Sequence, residues 1–296
     1  MSDHPFLLSY VLCLAGCENG RAQRQASHKD ALFLDFRRKV CFMSHKVEST
    51  EVGQGNLWPD NQRLKAVVTL GIGVFLWFLP SILVPDLKGP VVELIDTLLR
   101  AVGLLSASAS SFEGGFAAAL TIRWLSVGLL CLFVVFVQRE PLSSLGIRAP
   151  KWRDVALAFG IGVLALILSI VSYLVIHGGA QVDANTTAGQ VVRTLGLVGR
   201  IHLDLNAAVF EEVFYRSCLI ECLIRISGRA WLAGIVSFVA FVGLHYFSGS
   251  ASLAQTVTVV FIAGVALISL YLLRRNVWLC IIVHAVMDVA MIIAPQ

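Results

Sequence analysis

Apolar residues run along this chain in blocks close to the length a helix needs to cross a bilayer, about 20 residues. Such blocks lie near 66–86, 116–137, 154–176, 205–225, 230–248, 254–273 and 277–294. They predict an all-α fold, a polytopic transmembrane helical bundle of about seven spans, or up to eight if a weaker stretch also crosses. Two weaker stretches, 91–108 and 187–202, are amphipathic. That pattern suits a helix lying along the interface or a short re-entrant helix. The fourth block differs from the others. It contains Phe210-Glu211-Glu212-Val213-Phe214-Tyr215-Arg216, with three charges at membrane depth.

Loop charges give an independent reading, because Lys and Arg are enriched on the cytoplasmic side. Arg37, Arg38, Lys39, Lys46, Arg63 and Lys65 precede the first block, and Arg139, Arg148, Lys151 and Arg153 follow the second. Arg225 and Arg229 follow the fourth, and Arg274 and Arg275 the sixth. The alternate loops are poorer, with Lys88 and Arg100, then Arg193 and Arg200, then neither residue in 249–253. The alternation predicts a cytoplasmic N-terminus and a C-terminus on the opposite side.

Composition excludes a soluble globular domain. Of 296 residues, 57% are hydrophobic and 14% charged, against about 25% charged in soluble proteins; the mean hydropathy is +0.80. The net charge of +4 is modest, and no nucleic-acid partner is expected. Cys13, Cys17, Cys41, Cys131, Cys218, Cys222 and Cys280 are scattered without zinc-ribbon spacing. They read as buried thiols rather than a disulfide framework.

Residues 1–65 form a polar, basic tail, followed by N-terminal transmembrane helices over 66–139 and a core over 140–296. Within the tail, Phe6 to Cys17 is a short apolar run, and Leu14-Ala15-Gly16-Cys17 resembles the acylation site of a lipoprotein. The run is too short to span, and no Lys or Arg precedes it. A translation start at Met43 is the alternative.

Ionisable groups at membrane depth are expensive, so a cluster of them is a functional-site hypothesis. Residues i and i+4 share a helix face. Glu212 is so placed with Arg216, and a guanidinium can donate bidentately to a carboxylate at depth. Glu211 aligns with Tyr215 and has no committed partner on its own helix, which leaves it available as a general base for water. Phe241 and His245 share a face in the fifth span, and His284 and Asp288 share one in the last. Each pair alone also fits a bracing role between helices. Three helices bringing polar groups to depth point instead to one convergent site of Glu211, His245, His284 and Asp288.

Glu-Glu-x-x-x-Arg, Phe-x-x-x-His and His-x-x-x-Asn/Asp, in this order on successive helices, resemble the CPBP family of CAAX proteases and bacteriocin-processing enzymes, also called Abi. The resemblance covers roughly 140–294 and includes Ser144-Leu145-Gly146. It implies an intramembrane endopeptidase acting on a peptide or lipidated protein, with the lipid bilayer as its other partner and the bacterial inner membrane as its location. By the same resemblance Glu211 and His245 orient and deprotonate water, and His284 with Asp288 stabilises the oxyanion. Glu212, Arg216 and Phe241 are structural support. Many members have Asn where this chain has Asp288. An ionised aspartate cannot donate to an oxyanion, so Asp288 must be protonated or must hold His284 in its charged, donating form.

No cofactor is expected, with zinc as the alternative. If the chemistry is metal-dependent, the ligands are Glu211, His245, His284 and Asp288, although His-Glu-x-x-His spacing is absent. Two other classes compete with a protease: an inert scaffold or bacteriocin-immunity protein of the same family, and a transporter. A transporter should show repeated halves, whereas this cluster is confined to the C-terminal half.

Overall fold

The computed structural model describes residues 59–85, 88–106, 110–177, 194–248 and 251–293. The lipoprotein-like run and the start at Met43 lie outside the described residues. The described residues form eight helices. These are α1 (Asp60–Leu83), α2 (Pro90–Ala101), α3 (Ser111–Val137), α4 (Trp152–His177), α5, α6 (Ala230–Phe247), α7 (Leu253–Arg274) and α8 (Val277–Ile293). Helix α5 is continuous from Leu197 to Ser227 and contains a π-helical segment, Val213–Ile220.

The local chemistry explains where helices begin and turn. Ser110 and Glu113 form a reciprocal capping box at the start of α3, with the Ser110 N–H donating to Glu113 Oε2 at 2.7 Å. Ser252 and Gln255 do the same for α7. Gly228, at φ 69°, takes the left-handed conformation that ends α5. The Ser144-Leu145-Gly146 run sits in a 3-10 turn capped by Gly146 at φ 70°. Its role is visible in the contacts: the Gly146 carbonyl accepts from the Val277 N–H at the start of α8.

Helices α1, α3, α4, α6 and α7 are long and apolar enough to cross a membrane, and α8 is a shorter apolar helix. Their outer faces present Phe75, Phe78, Leu125, Leu129, Leu168 and Val175, the surface expected against lipid. This is an integral membrane protein. The middle of helix α5 is enclosed by the others, and every residue of Val213–Ile220 is buried.

Two expectations need correction at α5 and α2. The predicted span 205–225 begins instead at Leu197, so the last turn of the 187–202 stretch belongs to α5; its residues before 194 lie outside the described set. Hydropathy hid this start because Arg200, Asp204 and Asn206 are polar yet buried. Backbone carbonyls satisfy two of them: Arg200 donates to Leu195 and Ile292, and Asn206 to Leu120. The other amphipathic stretch, 91–108, forms a helix only to Ala101.

Candidate active site

Glu211 and Glu212 end the α-helical part of α5, immediately before the π segment, a distortion that concentrates at functional sites. Adjacent residues on a helix point about 100° apart, so the two carboxylates meet different neighbours. Glu212 and Arg216 are both 0% exposed. Arg216 Nη1 donates to Glu212 Oε1 at 3.1 Å and Nε lies 3.1 Å from Oε2. The guanidinium also stacks over the Phe241 ring at 4.4 Å, a placement that favours a desolvated cation.

Glu212 has a second partner, which the sequence did not disclose. His284 Nδ1, on α8, lies 2.7 Å from Glu212 Oε1. A carboxylate only accepts, so this nitrogen carries the proton. His284 Nε2 then faces Asp288, whose Oδ2 is 3.5 Å away. Glu212 thus joins α5 to α8 as well as serving Arg216.

Glu211 faces α6 instead. His245 Nδ1 lies 2.8 Å from the Phe241 carbonyl, which must accept, so Nδ1–H is the donor. Nε2 of His245 is thereby turned to Glu211, 3.5 Å from Oε2. Phe241 stands between the two histidines, its ring centroid 4.5 Å from His245 and 6.4 Å from His284. Solvent exposure divides the group. The side chains of Glu211, His245 and Asp288 are 14%, 21% and 27% exposed, while His284 is 9% and Glu212 0%. The four groups read as convergent are therefore present as two pairs, Glu211 with His245 and His284 with Asp288, with Phe241 and Glu212 between them.

Asp204 and Arg123 were missed. Asp204 is buried and within electrostatic reach of Asp288 and His284. Its signal was available, because it lies seven residues before Glu211 on nearly the same helix face. Arg123, on α3, places its guanidinium 5.4 Å from the Phe210 ring centroid and within electrostatic reach of Glu211. As a charge inside a predicted span, it met the same rule that singled out the glutamates. Among the described residues no three His, Cys, Asp or Glu side chains come together as a metal-ion cage.

A family model described as type II CAAX prenyl endopeptidase Rce1-like matches residues 193–290, about a third of the chain. Over those residues the chain is similar to the CAAX protease family. The CAAX protease match runs from the start of α5 nearly to the end of α8 and includes Glu211, Glu212, Arg216, Phe241, His245, His284 and Asp288. Helices α1 to α4 lie outside it. Neither the curated proteins nor the solved structures contain a match to this chain.

Proposed function

We propose that this protein is an intramembrane endopeptidase that hydrolyses a membrane-associated or lipidated peptide, with Glu211 as the base for water and the bacterial inner membrane as its setting. The observation that carries the reading is the contrast between adjacent glutamates. Glu212 is sealed among Arg216 and His284, whereas Glu211 is partly exposed and faces a histidine nitrogen that holds no proton of its own in the neutral ring.

Water held between Glu211 and His245 Nε2 gives its proton to Glu211 as its oxygen attacks the peptide carbonyl. His284 and Asp288 face the oxyanion that results. His284, its Nδ1–H already committed to Glu212, donates from Nε2 in its imidazolium form, and Asp288 orients that ring. Collapse of the intermediate breaks the C–N bond, and the proton on Glu211 passes to the departing amine. The products are a carboxylic acid and an amine, and Glu211 returns to its starting state. Glu212, Arg216 and Phe241 hold the donors in place without touching substrate.

The test is comparative proteomics of cells carrying wild type or Glu211→Gln, scoring new peptide termini beside membrane segments. Termini that depend on Glu211 are the expected result. The sealed Glu212–Arg216–His284 network also fits a scaffold that keeps these charges to brace helices. A phenotype indifferent to Glu211→Gln would favour that second reading. The mechanism uses no metal, so activity should persist in strong chelator; loss of activity restored by zinc would replace it.

A further inference from the structure

Arg123 has no part in this mechanism. It lies midway along the span Ser111–Val137, where a guanidinium is costly unless something accepts its hydrogen bonds. Two arginines of α5 have acceptors: Arg200 donates to the Leu195 and Ile292 carbonyls, and Arg216 donates from Nη1 to Glu212 within an ion pair. Arg123 has no such acceptor among the described residues. It rests over the Phe210 ring, and the charge it senses is that of Glu211, which stays outside ion-pairing distance. Its five N–H donors are thus unspent beside the residue proposed as base. The seam is fixed independently of it, since the fully buried Asn206 ties α5 to α3 by donating to the Leu120 carbonyl.

We infer that Arg123 is a recognition residue for a carboxylate carried by the peptide substrate close to the bond that is cut. A planar guanidinium, stacked on an aromatic ring in a low-dielectric seam, is shaped for bidentate carboxylate binding. Lipid phosphates sit at headgroup depth, away from the middle of the span. The carboxylate has two possible sources, a chain terminus or an Asp or Glu side chain. This inference deepens the peptidase reading and rests on it for the word substrate.

The experiment measures binding, not cleavage, using the full chain in neutral detergent and in the Glu211→Gln background. The probes are an N-acetylated apolar pentapeptide as free acid, the same peptide as amide, and the amide with one Glu introduced. The expected result is that the acid, the Glu amide or both bind roughly tenfold to a hundredfold more tightly than the plain amide, and that Arg123→Gln erases the difference. The probe that gains identifies the source. Arg123→Lys, which keeps the charge but loses the fork, should weaken carboxylate binding severalfold and leave the plain amide unchanged. Should Arg123→Gln not accumulate, the lysine variant decides alone. Equal binding of all three probes to the Glu211→Gln protein with Arg123 intact, or a carboxylate preference that survives substitution of Arg123, overturns the inference. Because turnover is not read, its failure is separate from failure of the peptidase mechanism.

Discussion

Glu211 and Glu212 are neighbours in sequence and opposites in surroundings. Glu212 lies in a closed compartment between α5 and α8, with Arg216 below it and His284 across from it. Glu211 lies at the α5–α6 seam, partly open, facing one histidine. A buried carboxylate paired to two cationic or proton-donating side chains is a structural element, because both partners hold it away from solvent. One with a single loose partner keeps capacity for water. The same residue type, one position apart, is divided by helix geometry into a sealed, paired position and a partly open one.

The division can be broken from either side. The largest effect is expected at Glu211→Gln, which should lower turnover by roughly 10³-fold or more while leaving the thermal melting point within a few degrees of wild type. Equal loss of stability would erase the distinction between the two glutamates. Glu212→Gln should do the reverse. It strips the buried Arg216 of its countercharge and should cost about 3–5 kcal/mol, seen as poor accumulation and early unfolding in detergent. His284→Ala combines both effects, abolishing turnover and loosening α5 from α8. Phe241→Leu removes the ring under Arg216 and should cost about 2 kcal/mol in a denaturation assay, with a smaller loss of activity. Asp288→Asn is the mildest, with turnover expected within roughly tenfold of wild type, since the amide still fits beside His284 Nε2. If Asp288→Asn were as damaging as Glu211→Gln, the orienting role given to Asp288 would fail.

Much of this was legible because hydropathy is local. The apolar blocks fall within helices, and the i, i+4 pairs Glu212–Arg216 and His284–Asp288 are met within their own helices. The 100° step between adjacent residues also separated Glu211 from Glu212 before any coordinates. What was illegible depended on partners distant in sequence. Nothing in the chain announces that Glu212 will meet His284, a contact across 72 residues. The start of α5 was hidden because Arg200 and Asn206 are satisfied by carbonyls of α8 and α3, which a hydropathy window counts only as polarity. The π segment has no composition signal of its own. Arg123 is a different omission, a charge in a span that the rule already covered.

Helix α5 is fastened at both ends to the same hairpin. Near its start Arg200 donates to Ile292 at the end of α8, and near its finish Glu221 accepts from Tyr271 and Arg275 at the α7–α8 corner, each at 2.6 Å. Arg275 there adopts φ 48°, a left-handed geometry uncommon for a residue with a side chain. With Glu212–His284 as a rivet between these fastenings, α5 and α8 behave as one beam. Separating them would break all three fastenings at once. On the other flank α6 meets α5 through the partly exposed Glu211–His245 contact and a buried hydrogen bond from Ser237 to the Tyr215 carbonyl, so the site opens beside α6 and not through the beam.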